Sequence, residues 1–369
     1  MAGRIPRQSI AAFAAALLFT LLATGADQPL TPQQRSAMDH ISADSLRGNL
    51  SFLASDLLEG RATPSRGLDL AAEYLAAQFR RAGLEPAGDD GYFQTATLAD
   101  FGDRGSRLAR SLGVDDPSSV KMRNVAGILR GSDPEFRDTY VILSSHYDHV
   151  GMAAAGKDRI FNGANDDGSG TVSVVEVASA LAALPVHPRR SILFMLFFGE
   201  ERGPLGPGLL GSRYYAAHPL VPPVQTIAQL NLEQVGRTDA SDGPQIKTAS
   251  ITGYDFSDVP GILADAAQAA GVTVYKNPQN SDAYFNRSDN QSLADLGIPA
   301  HTLCVAYEFP DYHKVTDSWE KIDYNNMAAI DRAVALGMLR LASDEAPPKW
   351  NETYAPARRY VNAARRLHP

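Results

Sequence analysis

Thr139-Tyr-Val-Ile-Leu-Ser-Ser145 runs directly into His146-Tyr-Asp-His149, and a loop follows at Asn162-Gly-Ala-Asn-Asp-Asp-Gly-Ser-Gly170. An apolar-periodic segment then extends from Thr171 to about Leu184, and Ser191-Ile-Leu-Phe-Met-Leu-Phe-Phe198 ends in Gly199-Glu-Glu201. The order reads as strand, loop, helix, strand. Both strands are continuous apolar runs, the pattern of strands buried on two faces in a parallel α/β sheet. In open sheets of that kind a ligand lies beyond the carboxyl ends of the strands. His146, Asp148, Asp166, Glu200 and Glu201 all fall at or just past such ends.

Upstream of this stretch, Ser42 or Asp44 caps a helix carrying Leu46, Leu50, Leu53, Leu57 and Leu58, which the turn-rich segment 59–67 breaks. Leu68, Ala71, Ala72, Leu75 and Phe79 share one face of a second helix over 68–82, closed by Gly83. Residues 84–122 read as a peripheral loop with a solvated insertion over 103–119, and 124–130 as a strand. Downstream, a Gly/Pro-rich segment over 203–211 holds Pro204-Leu-Gly-Pro-Gly208, which reads as an insertion near the pocket rim. A helix starts near Ser212, and a third buried strand over 227–232 ends in Glu233. Further elements are a helix over 258–270, strands over 271–275 and 300–306, a loop carrying Tyr312 and His313, and a closing helix over 326–342. Residues 346–369 carry Arg358, Arg359, Arg365 and Arg366 and read as a basic tail, solvated and partly frayed.

The expectation is a single α/β domain over residues 27–345, with a central, mostly parallel (mixed) sheet and helices on both faces. With 369 residues and 44% apolar content the chain can bury a large core. Arg4 and Arg7, the apolar run from Ile10 to Leu22 and small residues up to Ala26 read as a signal peptide over 1–26, hence an exported protein, periplasmic or extracellular. No apolar run is long enough for stable membrane insertion. The formal charge of −8, nearer −10 without the two arginines of residues 1–26, argues against a nucleic-acid partner. Cys304 is the only cysteine and reads as a core filler, so the fold has no intramolecular disulfide.

His146, Asp166, Glu201, Glu233 and His313 make a thiolate-free set of two imidazoles and three carboxylates, a donor set for zinc or a similar divalent ion. Five donors exceed one open site and suit two ions bridged by one carboxylate. Asp148, two residues past His146, is spaced to hold that imidazole in one tautomer. Of the adjacent Glu200 and Glu201, one can bind metal while the other remains free as a base. Alone, each feature has a blander reading: a hydrogen-bonded core histidine, a solvated acidic pair, or an Asn-Asp turn. Together they follow apolar strands, where unpaired carboxylates would be costly.

Five segments resemble the M28 family of zinc aminopeptidases in order and spacing over roughly residues 45–343: 145–151, 162–171, Phe198-Gly-Glu-Glu201, Leu230-Asn-Leu-Glu-Gln-Val-Gly236 and Tyr312-His-Lys-Val-Thr-Asp317. Ser55-Asp-Leu-Leu-Glu-Gly-Arg-Ala62, Ser288-Asp289 and Gly297-Ile-Pro-Ala300 add to the likeness. The resemblance implies the zinc-peptidase (phosphorylase/hydrolase-like) fold without a protease-associated domain, and two zinc ions per chain. His146, Asp166 and Glu233 would hold one ion, and Asp166, Glu201 and His313 the other. It further implies Glu200 as general base and acid, Asp148 as orienter of His146, Tyr312 as the group that polarises the scissile carbonyl, and a peptide with a free N-terminus as substrate. Many members have Asp where Glu233 stands here. The alternatives are a single-zinc glutaminyl cyclase, a carboxypeptidase, which would need a basic residue to read the substrate carboxylate, and a non-catalytic binding module. His149 reads as a packing or supporting residue, His301 as core, Asp167 and Asp317 as loop orienters, and Tyr284 and Phe285 as residues that can line the pocket.

Overall fold

A computed structural model describes residues 30–369; the segment read as a signal peptide lies outside them. Nine strands build the main sheet: β1 (Glu85–Pro86), β2 (Phe93–Thr97), β3 (Lys121–Leu129), β4 (Tyr140–His146), β5 (Ser191–Phe197), β6 (Thr226–Glu233), β7 (Thr248–Ile251), β8 (Thr273–Tyr275) and β9 (Ala300–Cys304). Their order is β1-β3-β5-β4-β6-β9-β7-β8, with β2 also paired to β3. The four central strands β5, β4, β6 and β9 are mutually parallel, as are β7 and β8. The β3–β5 and β7–β9 pairs are antiparallel, so the sheet is mixed with a parallel heart.

Ten helices accompany it among the described residues: α1 (Pro32–His40), α2 (Ala43–Leu53), α3 (Arg66–Arg81), α4 (Gly102–Ser111), α5 (Gly170–Ala182), α6 (Leu210–Ala217), α7 (Val259–Gln268), α8 (Asn290–Leu296), α9 (Tyr324–Ser343) and α10 (Arg358–Leu367). The continuous apolar runs serve two cores because successive strand side chains point to opposite faces. Val141 and Leu143 of β4, with Ile192, Phe194 and Leu196 of β5, pack toward α2, α3, α5, α7 and α9. Ile142, Leu193, Met195 and Phe197 pack on the other face, with Tyr215 of α6, Leu293 of α8 and Tyr360 of α10.

Three sequence expectations are corrected. Ser42 caps α2, its Oγ accepting from Ser45 N, but α2 stops at Leu53. A 3-10 turn over Asp56–Arg61 follows, which buries Leu58 and leaves Leu57 76% exposed. Residues 84–122 are not merely loop: β2 pairs with β3, and α4 buries only Gly105 and Ala109, too narrow a face for periodicity to reveal. The basic tail is docked rather than frayed. Tyr360, Val361 and Ala363 of α10 are buried in the second core, while its arginines lie on the outer side.

Trp350 secures this docking. Its ring stacks on Tyr360 at a centroid distance of 5.0 Å, and its Nε1 donates to Gly297 O at 2.8 Å. Trp350→Ala should therefore cost about 3–5 kcal/mol in denaturant unfolding; a loss under about 1 kcal/mol would mean the segment contributes no core.

Candidate metal centre

The carboxyl ends of the central parallel strands meet at one edge of the sheet. His146 is the last residue of β4 and Glu233 the last of β6, while Glu200 and Glu201 follow β5 at a turn. Asp166 lies in the coiled segment Ala164–Ser169 ahead of α5, and His313 in the loop after β9. His146 Nε2 is 3.6 Å from Asp166 Oδ1, 3.8 Å from Glu233 Oε2 and 3.9 Å from Glu200 Oε2. His313 Nε2 is 3.0 Å from Asp166 Oδ2 and 3.1 Å from Glu201 Oε1. All five residues read from the sequence as metal ligands thus converge. Asp166 turns one oxygen to each group, the arrangement a bridging carboxylate needs.

Their surroundings hold these side chains in place. Asp148 approaches His146 Nδ1 at 3.4 Å through Oδ1, and the two oxygens of the same carboxylate accept from Glu200 N at 3.0 Å and Glu201 N at 3.3 Å. One side chain therefore sets the imidazole and the acidic turn together. Asp317 accepts from Asn165 N and Asp166 N, and Asp167 from Gly170 N and Gln234 N, so both orient loops as expected. Glu233 accepts from Ser288 Oγ, which in turn accepts from Asn231 Nδ2. Tyr312 is 40% exposed and stacks on His313 with ring centroids 4.0 Å apart.

The charges are strongly coupled. Burial alone would lower the His146 imidazole, but the Glu233 charge and the Asp148 and Asp166 carboxylates outweigh it and hold it well above its ordinary value. Hydrogen bonds to Asp166 and Glu201 raise His313 to about 10. Burial pushes the Glu200 carboxyl well up, with the Glu233 and Glu201 charges adding to it. For Asp166, burial is outweighed by the two imidazoles, which hold it low.

Two residues were missed or undervalued in the sequence. His149 is fully buried, with Nδ1 3.2 Å from Glu201 Oε1, and it forms with Asp166 and Glu201 a second possible ligand group beside that of His146, Asp166 and Glu233. Gly163 makes room for it: its φ is +56°, and a Cβ there would lie 2.4 Å from His149 Cγ. The His-x-x-His spacing of 146 and 149 past a strand end was the available signal. Arg61 is the second. Its guanidinium is fully buried and donates to Tyr147 O, Leu53 O, Asn162 O and Gly163 O, clamping the segment just past His146 to the one that leads into Asp166. Nothing in its local sequence marked it beyond the likeness of the surrounding segment.

Other placements differ from expectation. None of residues 204–208 lines the cavity beside the acidic cluster; Leu205 packs against α4, where Arg104 donates to its carbonyl. Tyr284 does line that cavity, whereas Phe285 is buried in the second core against His301 and Tyr360. His301 is a core histidine bonded to Ser257 and Thr252, as read. The cavity measures about 100 Å³ and is also lined by Arg287, a cation the sequence offered no way to place there.

The donor set fits divalent ions. Buried His146 Nε2 and both ring nitrogens of His149 have no hydrogen-bond partner of good geometry among the described residues. Such orphaned donors and acceptors, turned toward a cluster of carboxylates, are costly unless a cation satisfies them.

A probable zinc metalloprotease of Pyrenophora teres f. teres is 29% identical over 334 residues, covering 84% of this chain and 67% of its own length. A probable glutamate carboxypeptidase, AMP1, of Arabidopsis thaliana is 28% identical over 228 residues, covering 58% of this chain and 29% of its own. The chain spans under half the length of two further fungal probable zinc metalloproteases, at 44% and 47%. Among solved structures, the LapA aminopeptidase of Legionella pneumophila superposes with a TM-score of 0.62 at 18% identity, covering 92% of this chain and 81% of its own, a likeness of fold. Residues 124–338 match the model of Peptidase family M28, and that span holds the whole converging cluster from His146 to His313; the chain belongs to this family.

Proposed function

We propose that the protein is an exported dinuclear-zinc aminopeptidase that hydrolyses the N-terminal peptide bond of peptides. The observation that carries this reading is the division of Asp166 between two donor groups, His146 with Glu233 and Glu201 with His313. Two zinc ions bound there would act as Lewis acids, polarising the scissile carbonyl and acidifying water at neutral pH. Glu200 lines the cavity next to both groups and is the one acid of the Glu200–Glu201 pair free of a ligand role. It takes a proton from the attacking water as the new C–O bond forms, and delivers it to the amine as the C–N bond breaks. Burial first, and then the Glu233 and Glu201 charges, raise the affinity of its carboxyl for a proton, the direction a general base requires. Tyr312, kept protonated by burial and by the neighbouring carboxylates, lines the same cavity and is the donor for the carbonyl oxygen. The substrate's free amine meets the carboxylates of the cluster.

Aminoacyl-anilides and peptides with free or acetylated N-termini test the reading: cleavage should require the free amine. A second reading has one observation in its favour. Arg287 lines the cavity, where it could bind a substrate carboxylate, and the AMP1 relative is described as a carboxypeptidase. Cleavage of acetylated peptides from the C-terminus, lost in Arg287→Ala, would favour that reading instead.

Metal uptake should displace protons. Hydrogen bonds to Asp166 and Glu201 raise His313 to about 10, so it carries a proton at pH 7 in the metal-free protein, and the surrounding carboxylates push His146 in the same direction. Neutral imidazole is the ligand form, so zinc binding at pH 7 should release at least about one proton, that of His313, and strengthen as pH rises toward 10. Calorimetry in buffers of different ionisation enthalpy measures this; release of no protons would show that His313 is not a ligand.

A further inference from the structure

A second cavity of about 90 Å³ adjoins the one beside the acidic cluster, and Tyr284, Tyr307 and Glu308 line both. Its size is several times the roughly 10–15 Å³ that one water requires. Its lining is polar and one-sided in charge. Asp242 and Glu308 bring two carboxylates, and among the described residues no lysine or arginine lines it; Arg287 lines the first cavity only. Asn277 Nδ2 donates to one oxygen of Asp242 at 2.9 Å and the Tyr284 hydroxyl donates to one oxygen of Glu308 at 2.9 Å, which fixes both carboxylates and leaves each a second oxygen. Among the described residues Asn280 Oδ1 and the Tyr307 hydroxyl are buried without a hydrogen-bond partner. The remaining wall includes the Tyr275 ring and Val305.

Gln279 and the hydroxyls of Ser241 and Ser250, which donate to Glu308 O and Cys304 O, complete the lining, and its charged groups are acceptors only. What it lacks is a group with several N–H donors and a positive charge on an apolar stem. A guanidinium or ammonium would bind the carboxylates through charge-assisted hydrogen bonds, lie against tyrosine faces, and run its methylenes along Val305. We propose that the second cavity receives the side chain of the substrate's first residue and selects lysine or arginine, with Glu308 and Asp242 as the specificity-determining residues. The inference rests on the aminopeptidase reading, because only a first residue held at the acidic cluster places its side chain there. Glu308 stands at the shared wall and meets the side chain first.

The test compares kcat/KM for Lys-, Arg-, Leu- and Glu-p-nitroanilides, all with free amines, in the wild-type protein and in Glu308→Gln, Asp242→Asn and Glu308→Lys. The wild type should prefer Lys and Arg over Leu by roughly 10- to 100-fold, as expected for a partly solvated charge pair. Glu308→Gln and Asp242→Asn should each lower the Lys-to-Leu ratio several-fold, mainly through KM. Glu308→Lys should invert the order of the Lys and Glu substrates. A wild-type preference for Leu over Lys, or variants that slow all four substrates alike, would overturn the inference and leave the aminopeptidase reading standing. Failure to cleave any anilide, with cleavage of acetylated peptides, would overturn that reading and this inference with it.

Discussion

Glu200→Gln is expected to keep its metal and to lose roughly 10²- to 10⁴-fold in kcat, the usual contribution of a positioned general base. Glutamine preserves the shape of the side chain but cannot accept the proton. The Glu200 backbone N–H that anchors the turn to Asp148 is unchanged by the substitution, so the neighbouring Glu201 should stay in place. Metal content by mass spectrometry, with KM and kcat, separates a lost base from a lost ligand. Wild-type turnover in this variant would remove Glu200 from the chemistry, and loss of half the metal would make it a ligand.

Arg61→Met should be the most damaging substitution outside the acidic cluster. Four buried carbonyls, those of Leu53, Tyr147, Asn162 and Gly163, would lose their donors at once. Each unsatisfied buried acceptor costs about 1–3 kcal/mol. Part of this is offset by relief from burying a charge, a strain visible in the Arg61 guanidinium, which burial lowers to about 10 against the pull of Asp148 and Asp317. The net expectation is a loss of about 3–5 kcal/mol in denaturant unfolding of the metal-free protein. Because Tyr147 and Gly163 lie beside the proposed ligands His146 and Asp166, zinc affinity should also fall by roughly 10- to 100-fold. A stable variant with unaltered zinc affinity would show that the clamp is dispensable.

Much of this architecture was legible because the parallel strands are buried twice over. A strand such as Ser191–Phe197 can feed two cores only by being apolar throughout, and such runs stand out in any sequence. The acids that follow them were legible for the same reason, since a carboxylate directly after a buried run needs a partner. What escaped notice depends on contacts made by distant parts of the chain. The face of α10 is defined only by its pairing with α8 and Trp350, and its four arginines dominate its composition. Arg61 has backbone carbonyls as partners, and backbone carries no sequence signal. His149 looked like a supporting residue because its approach to Glu201 depends on the bare backbone at Gly163. Arg287 and Glu308 face the same cavity although one follows β8 and the other β9.

The central claim is that two cations hold one cluster together through Asp166. Crystals grown with zinc and measured at the zinc absorption edge test it most directly. Two anomalous peaks are expected, one bounded by His146, Asp166 and Glu233 and one by Asp166, Glu201 and His313. The absence of any peak at these residues, or a single peak that Asp166 does not touch, would contradict it.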